Sequence, residues 1–151
     1  MNQNALCPVY KKWLHKNVHN ARLHRTQMLQ QAQGLCKNGD FQAASSVCSC
    51  AYEIAKVVLL TPFATEEDQS HIRQDYFTYV TLCIYLSGIF ERTGDLLQSS
   101  ELLSDCQKQL LALLPLHALL PQNCEVISKL LHVVEQAENQ SKYSVNTSCI
   151  H

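Results

Sequence analysis

The stretch Gly39-Asp40-Phe41-Gln42-Ala43-Ala44 decides how the chain is read, because it has the chemistry of a helix that stops and reverses. Glycine takes a positive φ without steric cost, which suits a helix end, and Asn38 before it strengthens the stop. Asp40 can accept the free backbone N–H groups that open the next helix. Apolar residues at helical spacing stand on both sides. The two flanking helices can therefore fold back and bury their faces on each other, instead of continuing as one rod.

The stretch returns as Gly94-Asp95-Leu96-Leu97-Gln98-Ser99, preceded by Thr93, at an offset of 55 residues. At that offset Ala32 falls on Ser87, Leu35 on Phe90, Phe41 on Leu96, Ala44 on Ser99, Val47 on Leu102, Cys48 on Leu103 and Ala51 on Cys106. Small residues match small and large mostly match large, until Ile54 falls on Gln109. Small residues let two helices approach, and large ones fill the space beside them. The series Ala32, Leu35, Gly39, Ala44, Ala51 and its second copy Ser87, Phe90, Gly94, Ser99, Cys106 resembles the tetratricopeptide repeat, a helix–turn–helix unit. The resemblance covers roughly residues 25–115. The spacing is 55 here, against about 34 in that family. Met28 or Cys83 stands at the family's early Trp, and Lys56 and Leu111 stand at its closing Pro. The resemblance implies antiparallel helical hairpins stacked in a right-handed array. By analogy with the family it also implies a non-catalytic module that presents a groove to a partner's helix or extended peptide, as a small bacterial adaptor, secretion-type chaperone or regulatory subunit would.

Composition agrees with a folded helical chain. The 151 residues are 46% hydrophobic and 17% charged, with only four glycines and four prolines, which disfavours both disorder and an all-β fold. The reading is an all-α chain of about five to six helices, with one domain over 1–138 and a flexible polar tail at 139–151. A basic segment starts near Pro8 and is open to a break between Asn17 and Asn20. The following helices are predicted at about Phe41–Leu60, Glu66–Thr93, Leu96–Leu114 and Gln122–Glu138, the last capping the second hairpin. Thr61-Pro62-Phe63-Ala64-Thr65 reads as a linker, and Thr65 with Asp68 as a capping box. Ile72, Tyr76, Tyr79, Val80, Cys83, Leu86, Ile89 and Phe90 form the predicted buried stripe of the long helix. Gly88 lies inside that helix, where a close helix crossing would explain it. Leu116 to Leu120, between two prolines, is either tucked into the core or exposed for binding.

The net charge of −1 hides an asymmetry. Residues 1–39 hold Lys11, Lys12, Lys16, Arg22, Arg25 and Lys37 and no acid, whereas all thirteen acids lie beyond them with only six further Lys or Arg. Lys12, His15, Lys16, His19 and Arg22 share much of one face. Lys11, Lys12, Trp13, His15, Lys16, His19, Arg22 and Arg25 are therefore the candidate partner-binding residues, set against the alternative of a merely solvated basic face with Trp13 in the core. The occupant of choice is an acidic protein. The alternative is nucleic acid or an anionic surface, weakened by the absence of an arginine-rich or aromatic-interleaved pattern, and self-association is a third reading.

No catalytic set is legible. There is no HExxH, GxSxG, Gly-Lys-Ser/Thr phosphate loop or GxGxxG, so the expectation is a non-enzyme without cofactor. His15 and His19, four apart, are two ligands where a structural zinc site needs four, and Cys48 and Cys50 would stand about 200° apart around a helix. Cys149-Ile150-His151 could take up metal adventitiously. Of the eight cysteines, Cys36, Cys48, Cys83 and Cys106 lie on apolar runs and read as free, buried thiols. Met1 to Cys7 lacks a basic-then-apolar leader and no run reads as a membrane span, so the expected location is the cytoplasm.

Overall fold

The two glycine turns form the same structure twice. A computed structural model of the chain describes residues 6–61, 66–118 and 120–149, with side chains at 6–61, 71–118 and 120–141. Gly39 and Gly94 take φ of 79° and 81°. The Asp40 N–H donates to the Leu35 carbonyl at 2.9 Å, and the Asp95 N–H to the Phe90 carbonyl at 2.8 Å. Each aspartate then caps the next helix, Asp40 accepting from the Ala43 N–H and Asp95 from the Gln98 N–H, both at 3.2 Å. Both turns thus close with the six-residue hydrogen bond of a glycine-ended helix and open with a side-chain cap.

Among the described residues there are six α-helices and no strand: α1 (Pro8–Lys16), α2 (Val18–Lys37), α3 (Phe41–Leu60), α4 (Glu66–Arg92), α5 (Leu96–Leu113) and α6 (Pro121–Cys149), with a short 3₁₀ helix at Leu114–His117 before α6. The chain is all-α. It divides into two compact units, Met1–Leu82 and Cys83–His151. The fifth predicted helix stops at Glu138, but α6 runs on to Cys149 and buries Ser141, so that part of the expected tail is helical. The Pro62–Thr65 linker, the Thr65–Asp68 capping box, the Glu66 and Glu67 side chains, Leu119 and the Cys149-Ile150-His151 metal candidate lie outside the residues or side chains described.

In the first unit, Pro8 opens α1 and Asn17 closes it. Asn17 leaves the helical region (φ −131°, ψ 59°), and its amide donates to the Trp13 carbonyl at 2.8 Å. α1 packs on α2 and α3 around Leu6, Leu14, Ala21, Ile54, Val57 and Val58. α2 and α3 form the first hairpin, joined by the Gly39 turn. His19 meets His71, and Arg22 meets Asp75, so α2 and the start of α4 run in the same direction. The rings of Tyr52 on α3 and Tyr79 on α4 stack at 5.2 Å, and their hydroxyls share a 2.9 Å hydrogen bond in the core.

In the second unit the end of α4 and α5 form the second hairpin, and α5 packs on α6. The paired small positions of the repeat carry different chemistry in the two copies. Ala32 and Ala44 are fully buried in the first, whereas Ser87 and Ser99 share a buried hydroxyl bond at 2.7 Å in the second. A buried hydroxyl needs a partner, and the repeat supplies one from its facing position. The Pro-bracketed segment divides inward and outward. His117 is buried, with its carbonyl accepting from the Cys124 thiol at 3.0 Å, while Leu116 is 71% exposed.

One expectation is corrected here. Nothing lies within 4 Å of where a Cβ would stand on Gly88, so no close helix crossing accounts for it. Gly88→Ala is therefore expected to stabilise the protein by about 1 kcal/mol, read from urea denaturation, because it restores helix propensity without a clash. α3 is long and apolar enough by length and composition to cross a membrane, with 56% of the qualifying stretch buried inside the protein. Its alternation of alanine, cysteine and branched residues packs on both α1 and α2, and core helices of that kind pass the same test.

Candidate functional site

The basic segment separates into two arrangements, one exposed and one buried. The break at Asn17 decides this, because it puts Lys11 to Lys16 on α1 and His19 to Arg25 on α2.

On α1, Lys12, His15 and Lys16 are exposed and Lys11 is half-buried. Leu14 turns inward and is fully buried, so the opposite face must point to solvent. Trp13 stays 40% exposed, contrary to a wholly core position. Its indole stacks on Tyr10 at 5.9 Å and on His24 of α2 at 5.9 Å, and a 2.8 Å hydrogen bond joins the Tyr10 hydroxyl and His24 Nδ1. Burial holds the Tyr10 hydroxyl above its ordinary titration range, with a smaller contribution from Cys50. Tyr10 and His24 hold the indole in place while part of it remains open. Val9, one turn before Trp13, is 76% exposed and extends the apolar strip.

His15 and His19 do not share a face, because the Asn17 break lies between them. The Thr61 hydroxyl donates its proton to the Val57 carbonyl at 2.9 Å, so His15 Nδ1–H is the donor in the 3.0 Å bond between His15 and Thr61. His19 is exposed on α2, its ring edge-on to His71 at 6.5 Å. Among the described residues no three His, Cys, Asp or Glu side chains are grouped to hold a metal.

Arg22 and Arg25 leave the candidate surface. Both point at Asp75 of α4. Arg22 grips it with two parallel bonds, Nε to Oδ1 at 3.0 Å and Nη2 to Oδ2 at 2.8 Å. Arg25 reaches Oδ1 through Nη2 at 2.8 Å. The side chains of Arg22, Arg25 and Asp75 are 15%, 5% and 6% exposed. Burial is the main cause that pulls the Arg25 guanidinium below its ordinary value; Asp75 opposes the shift and Arg22 adds to it. Sequence periodicity places Arg22 on the basic stripe and charge alone makes Arg25 a candidate beside it, but their partner lies on another helix far along the chain.

None of the seven cysteines with described side chains forms a disulfide, and Cys48, Cys83 and Cys106 are buried. Burial, helped by Cys36, pushes the Cys48 thiol up to about 12, so it is a packing group and not a nucleophile. Cys50 is also raised, first by burial and then by Glu53. Comparison with protein-family models, with curated proteins and with solved structures finds no match.

Proposed function

We propose that the chain is a non-catalytic protein-binding module that docks an acidic partner through the exposed face of α1. The observation that carries this reading is Trp13. A large aromatic ring is held by neighbours on one side, left open on the other, and flanked along α1 by the exposed Lys12 and Lys16. Preordered aromatic side chains ringed by charge are the usual anchors of protein interfaces, because little side-chain entropy is lost on docking. Charge complementarity favours an acidic partner. Nucleic acid is the weaker reading. With Arg22 and Arg25 held by Asp75, the exposed basic groups of α1 are few for neutralising a phosphate backbone.

The test is affinity capture from native lysate with and without nuclease, followed by titration of the retained partner. Trp13→Ala is expected to weaken binding by about 2 kcal/mol, roughly 30-fold in Kd. Lys12→Glu with Lys16→Glu should release the partner while leaving the melting temperature near wild type. A partner that binds these variants as well as wild type rules out the α1 face. Proteins lost on nuclease treatment would favour nucleic acid.

A further inference from the structure

Two guanidiniums converge on the single carboxylate of Asp75, so the cluster carries one positive charge in excess. It also carries unused donors. Arg22 Nη1, Arg25 Nε and Arg25 Nη1 are buried without a hydrogen-bond partner, although the Arg25 side chain is only 5% exposed. A buried N–H without an acceptor and a buried charge without a counter-charge are both costly, and proteins seldom keep them together. Arginine has five donors and no acceptor, so only an acceptor can relieve the cluster. One carboxylate cannot supply it, since Asp75 already receives the Arg22 fork and Arg25 Nη2.

We infer that Arg22 and Arg25 bind a small oxyanion, a phosphate or carboxylate group, which completes the pairing that Asp75 begins. The donors fit that chemistry. Fixed guanidinium N–H groups match the spacing of oxygens on phosphate and carboxylate, and one added anionic group offsets the excess charge. Asp75 sets the selectivity. It neutralises one arginine and orients both, so the cluster takes a single anion rather than acting as a general basic patch. Arg22, the more exposed of the two at 15%, is the side of approach. The inference does not depend on the α1 docking face, because neither arginine lies on it.

The experiment uses the full chain at fixed ionic strength, with sodium chloride replaced stepwise by sodium phosphate or by sodium acetate. At about a hundredfold excess over Kd the melting temperature should rise by about 5 °C or more. Arg25→Met, which leaves the neutral Arg22–Asp75 fork, should abolish the rise. Calorimetric titration of the wild-type protein with inorganic phosphate and with acetate gives a second reading that needs no variant. A saturable one-site isotherm with either anion supports the site and identifies which group it takes. No shift and no isotherm with both anions overturns it, as does a shift of equal size in Arg25→Met.

Discussion

Asp75→Asn is expected to cost about 3–5 kcal/mol of folding stability, measured by urea denaturation at neutral pH. The substitution keeps the shape of the side chain and removes its charge. It leaves the Arg22 and Arg25 guanidiniums, 15% and 5% exposed, without their shared counter-ion. Two like charges then face each other with little water to screen them. Removing all three charges together should behave differently. Replacing Arg22, Arg25 and Asp75 by apolar residues of similar size is expected to recover most of the loss, because the cost lies in breaking the set and not in lacking it. An Asp75→Asn protein within about 1 kcal/mol of wild type would mean that water reaches the cluster freely.

The second large effect is expected at Leu103. Leu103→Ala should lose about 2–5 kcal/mol on the same assay, since Leu103 is fully buried on α5. Its counterpart in the first hairpin is Cys48, also fully buried, and the neighbouring counterparts of Leu102 and Cys106 are Val47 and Ala51. The second hairpin thus fills the same register with larger groups. A cavity at Leu103 cannot be closed by adopting the packing of the first copy, because the surrounding side chains are sized for leucine. A loss below 1 kcal/mol would indicate that the α5 face relaxes into the space.

The local chemistry of the hairpins was legible in the sequence, and the long-range pairing was not. Gly39 and Gly94, with Asp40 and Asp95 after them, act through their own backbone and their own side chains, so a short window contains all the physics. Small residues at Ala32, Ala44, Ser87 and Ser99 could be read from spacing alone, and all four are buried. Arg22 reads as part of a basic stripe, and Arg25 as a candidate beside it, because helical periodicity and charge locate a residue without saying what packs over it. Asp75 was the missing term, and nothing near the arginines announced it. His15 and His19 failed for a related reason. Their spacing implies a shared face only if the helix is continuous, and Asn17 interrupts it. Gly88 shows the opposite failure, in which a glycine inside a helix suggested a contact that does not exist.

The chain contains one tryptophan, and Trp13 sits where α1 stacks on His24 of α2. Indole emission is therefore a local reporter of that junction. Release of α1 from α2 would change the emission colour while most of the helical backbone remained intact. Circular dichroism in the far ultraviolet reads the whole helical content instead. If the emission transition precedes the dichroism transition, the difference between them measures the opening free energy of α1, which is a local property of the fold. Coincident transitions would place α1 inside the same cooperative unit as the hairpin it covers.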